Sequence, residues 1–257
     1  MSVRQDLIAV LNGHTSRRNE VNGSIYEGLN IWNVRDNELS EVRTILSGLE
    51  FSELFYNVES DTFLVWDKDL NGFIDLKTNE EYLMTSFFDD FESGSFATKG
   101  WVTVDGGEND WEIGTAAKES GTFGAYISND GGTNNQYSSV GGAVDRSHLY
   151  VDILLPNALN KIILEFDWRC EAEVGFDFGR VFNELTSYNP APNVAVPIGS
   201  IIGQNQYNNQ SVFTSERIEL PIGQAGTTRR LIWSWRNDSS VENQPPMAID
   251  NVKILFS

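Results

Sequence analysis

Between Lys161 and Glu171 the chain reads Lys-Ile-Ile-Leu-Glu-Phe-Asp-Trp-Arg-Cys-Glu, so from Leu164 onward every second side chain is apolar. That period puts Leu164, Phe166, Trp168 and Cys170 on one face of a strand and charged residues on the other. Shorter runs at 123–127, 149–155, 174–182, 217–222, 229–236 and 248–256 read as further strands, several with the same alternation. Strands of a buried parallel sheet would be apolar throughout, so two packed sheets, each with one inward face, fit the pattern better. The expected fold is mainly β: a jelly-roll sandwich over residues 86–257, preceded over 1–85 by a small α+β segment for attachment and oligomerisation. With 40% hydrophobic and 12% aromatic residues, the chain has enough apolar material for a packed core.

The segment before residue 86 is organised differently. Val3, Leu7 and Val10 or Leu11 fall at helical spacing before Asn12-Gly13. Leu39, Val42, Leu46 and Leu49 form a clearer 3-4-3 seam, with Glu38, Glu41 and Arg43 on the outer faces. A helix this short is marginal alone, so it needs either its own domain or copies of itself as a partner, the latter giving a dimer or trimer. Residues 54–76 hold two apolar runs around Glu59-Ser-Asp61 and a hairpin signal at Asn71-Gly72.

Charge excludes some functions. Lys and Arg number 18 against 37 Asp and Glu, a net −19, which repels phosphate backbones and makes nucleic acid a poor partner. No stretch approaches the length of apolar chain that spans a bilayer, so membrane insertion is not expected. Cys170 is the single cysteine, so no intramolecular disulfide forms, and the residue reads as a small buried hydrophobe. The first eleven residues lack a signal-peptide apolar core and carry Asp6. Either a leader has been removed or the protein is made in a cytoplasm and never passes a secretion channel.

Few residues offer catalytic chemistry. His14 and His148 are the only histidines and have no ligand at metal spacing. Ser147-His148 near Asp145 is adjacency without triad geometry, no Gly-x-Ser-x-Gly elbow exists, and no enzyme is expected. Asp67, Asp69, Asn71 and Asp75 occupy positions 1, 3, 5 and 9 of a calcium loop with Gly72 at position 6, but Thr78 stands where a bidentate carboxylate belongs. The segment is either a partial calcium loop or a hairpin turn rich in turn formers. Trp233 and Trp235 share a strand face with Leu231, as a sandwich core or as a sugar-stacking stripe. The long 183–211 segment is rich in Asn, Gln and Pro, so it is a functional loop or an elaborated edge; its Tyr188 and Tyr207 are the carbohydrate candidates.

One ordered series runs through the second part: Phe88-Asp-Asp-Phe-Glu-Ser-Gly94, Gly100-Trp101, Asn109-Asp-Trp111, Trp235-Arg-Asn-Asp238 and Pro245-Pro-Met-Ala-Ile-Asp-Asn-Val252. It resembles the MAM-like jelly rolls of bacterial adhesins, the cleaved-adhesin and choice-of-anchor group. That resemblance implies a recognition module whose first and last strands lie side by side. It also implies a structural calcium ion near Asp90, Glu92 and Asp250, with Asp110 of the Glu108-Asn-Asp110 turn as a further contributor. The alternative for Asp250 is a carboxylate hydrogen-bonded to backbone amides without metal. The 54–76 segment is similar to the small β-meanders of phage tail-fibre and head-fibre proteins. An adhesin-like module without an export signal then implies a bacteriophage virion protein, a head fibre or capsid decoration, whose partners are other virion proteins, copies of itself and a cell-surface glycan. The alternative is a bacterial surface or secreted adhesin.

Overall fold

The computed structural model describes residues 31–34, 54–57, 62–67, 72–76, 78, 80–139, 144–158 and 160–257. The Leu39, Val42, Leu46 and Leu49 seam, the helix expected before Asn12, and Asp69 and Asn71 lie outside the described residues, as does the side chain of Asp67. The chain divides into two units between Ser86 and Phe87, with Leu255–Ser257 grouped with the first.

In the first unit, β1 (Ile31–Val34), β2 (Leu54–Asn57), β3 (Thr62–Asp67), β4 (Gly72–Asp75) and β5 (Glu80–Glu81) form one sheet in chain order. The β1–β2 pair is parallel and the rest antiparallel. The apolar runs flanking each turn become the hairpin strands. Leu64 and Phe73 are buried, so the sheet has an apolar side.

The second unit is a β-sandwich. After β6 (Met84–Asp89) come β7 (Val102–Val104), β8 (Asp110–Gly114), β9 (Gly124–Ser128), β10 (Asp145–Leu154), β11 (Ile162–Cys170), β12 (Phe178–Leu185), β13 (Ile201–Tyr207), β14 (Gln210–Leu220), β15 (Thr228–Asn237) and β16 (Ala248–Phe256). One sheet runs β13-β12-β15-β10-β7; the other runs β14-β11-β16-β9-β8, with β6 also pairing β16. The alternation read in the sequence now has a physical partner. Trp233 of β15 packs edge-on against Phe166 of β11, ring centroids 5.5 Å apart, and so joins the two sheets. Trp168 meets Tyr207 at 4.9 Å, and Tyr137 meets Trp235 at 5.2 Å. The stripe of Leu231, Trp233 and Trp235 is sandwich core and is not open to stack on a sugar.

Tyr207 is a correction. It was expected as a carbohydrate contact within a functional loop or an elaborated edge, but it ends the edge strand β13 opposite Gly179 and has no exposed surface. The register shift between Gly179 and Val181 turns its ring inward, onto Phe166 and Trp168. A Cβ at Gly179 would overlap the sulfur of buried Met247, which would have to shift. Cys170 is fully buried as expected, and burial pushes its thiol up to about 12.

Candidate functional site

The register of β10, β15 and β12 fixes what the outer face of their sheet presents. Arg146 pairs Arg236, which pairs Phe178; His148, Ser234 and Arg180 form the next row; Tyr150, Ile232 and Phe182 the third; Asp152, Arg230 and Glu184 the fourth. These residues alternate with the core set Leu149, Trp233 and Val181, so they point away from the opposite sheet. The long polar segment is partly strand, since β13 extends the sheet edge. Its remainder, 186–200, crosses this outer face.

That crossing is held by several contacts. Val196 packs on Phe182 and Ile232, with Tyr150, Tyr188 and Ile201 around them. The His148 ring nitrogen Nε2 lies 3.2 Å from the Ala191 carbonyl and 3.1 Å from that of Val194, and burial lowers the imidazole's basicity. Arg230 donates to both Asp152 carboxylate oxygens, to the Tyr188 carbonyl and to Asn189. Asn193 accepts from the Arg146 backbone amide. Tyr188, the other carbohydrate candidate, is therefore half-buried and used for packing. Where the segment ends, Arg146, Arg180 and Arg236 stay partly exposed beside the buried Phe178. They line a recess of about 280 Å³ whose wall also includes Ala195, Val196, Gln206 and Ser234.

The arrangement also disposes of a nucleophile at Ser147. Ser147 and His148, being consecutive on β10, face opposite sides of the sheet. Ser147 Oγ donates to the Asn109 carbonyl, while Asp145 accepts from the Asn109 backbone and side-chain nitrogens. No serine, base and orienting acid meet there.

Asp90, Glu92, Asp250 and Asp110 do not bring three side-chain oxygens within 4.8 Å of one another. Glu92 Oε1 accepts from the Thr122 and Phe123 amides at 2.7 and 2.8 Å, which holds its carboxyl below the usual range. Asp250 Oδ2 accepts from the amides of Glu119 and Ser120, and its Oδ1 from that of Asn251. Asp90 accepts from the Glu92 amide. Glu92 and Asp250 therefore fasten the same loop, 117–123, but through its backbone. Strand adjacency brings the backbones together, and each short carboxylate finds nearby amides. Asp110 sits apart with Asp105, Asp145 and Glu112, and burial first, then these like charges, push it up to about 6. Asp75 accepts from the Thr78 amide at 3.3 Å, as a turn former does. Among the described residues, the acidic trio whose oxygens lie within 4.8 Å of one another is Glu173, Asp177 and Asp238. Asp177 already accepts from the Tyr137 hydroxyl and the Asp238 amide.

No known protein family matches the chain, and no curated protein matches it. Among solved structures it is similar to the K1 cleaved adhesin domain of Lys-gingipain from Porphyromonas gingivalis W83, at 20% identity and a TM-score of 0.40, over 66% of this chain and 98% of that one. It is also similar to the C-terminal family 22 carbohydrate-binding module of Clostridium thermocellum Xyn10B, at 11% identity and 0.40, over 67% and 92%. The enzymatically active domain of bacteriophage CBA120 tailspike protein 4 matches at 13% identity and 0.38, over 65% of this chain and 21% of that one.

The chemistry of the recess comes from this chain's own residues. Sequence reasoning passed over Arg146 and Arg180 and took Arg236 only as part of a motif. A signal was present, since Arg230 and Arg236 alternate with the core tryptophans of one strand. Their convergence with Arg146 and Arg180 depends on pairing between distant strands, and no local pattern shows that.

Proposed function

We propose that the sandwich is a non-catalytic recognition module that binds a cell-surface glycan in the recess beside residues 186–200. The observation that carries this reading is the recess itself: a depression on a rigid sheet, ringed by guanidinium, hydroxyl and carboxamide groups that suit sugar oxygens. Residues 1–85 attach the module and associate its copies through the Leu39, Val42, Leu46 and Leu49 seam. Many copies would then add weak single contacts into useful avidity. The setting that fits such a module and attachment segment is the virion of a tailed bacteriophage, as a head fibre or decoration. A bacterial surface adhesin would present the same face. Portal and capsid genes beside the gene favour the virion, and an export signal and sorting domain in the full reading frame favour the adhesin.

The test is a glycan array probed with the intact protein. At least one glycan class should be retained with no shortening of the chain on prolonged incubation. Ala195→Trp, which fills the recess from its exposed rim, should abolish retention without altering thermal unfolding. Failure to retain any glycan sinks the reading, and release of reducing ends sinks its non-catalytic part.

A further inference from the structure

Three arginines converge on the recess with no carboxylate among its lining residues, in a chain of net charge −19. Arg146 and Arg236 are direct partners across β10 and β15, and Arg180 stands one row away on β12. Phe178 lies between two of them, the Arg180 guanidinium carbon 4.6 Å from its ring centre and that of Arg236 5.4 Å. Arg180 is further fixed by donating Nε to the Asn205 carbonyl at 2.7 Å. The ion pairs Arg217–Glu165, Arg230–Asp152 and Lys253–Glu165 do not reach this group. Arg236 does act on Asp238 through space, but that carboxylate takes its hydrogen bonds from the Ser240 amide and hydroxyl.

The contrast with Arg230 is informative. It lies on the same face, covers Tyr150 at 4.2 Å and has its donors spent on Asp152, the Tyr188 carbonyl and Asn189. Arg236, by comparison, carries a buried Nη1 with no hydrogen-bond partner. A buried charged donor left unmet is costly, and like charges this close add to the cost. Burial, then the neighbouring guanidinium groups, draws down the basicity of Arg146 and Arg180. Such an arrangement is unfavourable in the empty molecule and becomes favourable when an oxyanion enters, since guanidinium forks match carboxylates in two-point geometry. Nucleic acid phosphate is repelled by the molecule as a whole. Ser234 and Gln206 beside the arginines offer neutral donors and acceptors for hydroxyl groups.

We infer that the ligand of this recess is an acidic saccharide whose oxyanion is held by Arg146, Arg180 and Arg236. The inference rests on the glycan reading above and names the class of glycan. The arms of the test are oligosaccharides bearing uronate, sialate or sulfate, neutral oligosaccharides of matched length, and inorganic phosphate alone, each titrated calorimetrically into the intact protein. At least one acidic arm should bind, with the neutral counterpart about tenfold weaker or more, and raising salt from about 50 to about 500 mM should weaken it. Arg236→Gln and Arg146→Gln should each cost about tenfold or more, the scale of one hydrogen bond to a charged group. Arg180→Lys, which keeps the charge and loses the fork, should also weaken binding. Because each Gln variant removes a like-charge contact, it should melt no lower than the native protein, which separates lost recognition from lost folding. Neutral and acidic saccharides binding alike, with the variants unaffected, would overturn this inference and leave the glycan module standing. Binding of phosphate with no saccharide, or of nothing, would overturn both.

Discussion

Trp233 has no exposed surface, and its ring meets Phe166 from the opposite sheet and Trp101 from the entry to β7. Replacing it with alanine removes the aromatic contact that spans the sandwich and leaves a cavity that rigid strands cannot close. Trp233→Ala should therefore destabilise the protein by roughly 3 to 5 kcal/mol, read as a lowered midpoint in denaturant. A midpoint near the native value would mean the ring is not structural. Trp168, Trp233 and Trp235 were legible in the sequence because strand alternation by itself assigns them a face. Tyr207 was not: its amide-rich neighbours fit a loop or an edge alike, and its inward turn depends on pairing with Gly179. The arginine trio was hidden for a related reason. Arg146 and Arg236 become neighbours only through the β10–β15 register, ninety residues apart in the chain.

At the scale of elements, the strands with strong apolar runs were found with ends displaced by up to about seven residues: β12 begins at Phe178 where an earlier start was expected, and β14 begins at Gln210, well before the expected 217. β13 escaped notice because it is an edge strand whose middle residues are exposed, so it carries no apolar alternation. β7 and β8 are three and five residues long and give too little pattern. The 117–123 loop shows how strands become coupled beyond their own ladders. Glu92, just past β6, holds the amides of Thr122 and Phe123, and Asp250 of β16 holds those of Glu119 and Ser120. Glu92→Ala should accelerate hydrogen exchange at Thr122 and Phe123 while sparing Glu119 and Ser120, and Asp250→Ala should show the reverse local pattern. Uniform acceleration across the loop in both variants would show that the two carboxylates act as one unit. The side by side placement of first and last strands was legible from the family resemblance, whereas the use of their carboxylates depends on loop geometry that residue types do not encode.

For the molecule as a whole, the acidity read from the sequence becomes a pH dependence once burial is known. Asp110, Asp177 and Asp250 are each pushed up from 3.8 to about 6, burial being the first cause in every case, and Asp89 and Glu112 are raised in the same sense. Between about pH 4 and 6 the folded state thus keeps protons that the unfolded chain has released, and stability falls as pH rises through that window. His148 opposes this. Its buried imidazole has a pKa below the ordinary 6.5, so the unfolded chain takes a proton first and stability rises with pH up to that value. Below about pH 4.5, Glu92, Asp130, Asp238 and Glu242 dominate, because hydrogen bonds lower their pKa values and the stability they supply is lost as acid protonates them. Several raised carboxylates against one imidazole decide the sign, and self-repulsion growing toward the full charge of −19 acts with them. The melting temperature should therefore peak between about pH 4 and 5, decline toward about pH 6 to 7 and then level off. The measurement needs dilute protein, since the peak lies near the isoelectric point of about 4.3, where attraction between molecules is least opposed. A melting temperature that climbs steadily from pH 4.5 to 6.5 would place the balance with His148 and the strap it anchors across the sheet, and would mean that Asp177 and Asp250 remain ionised where they stand.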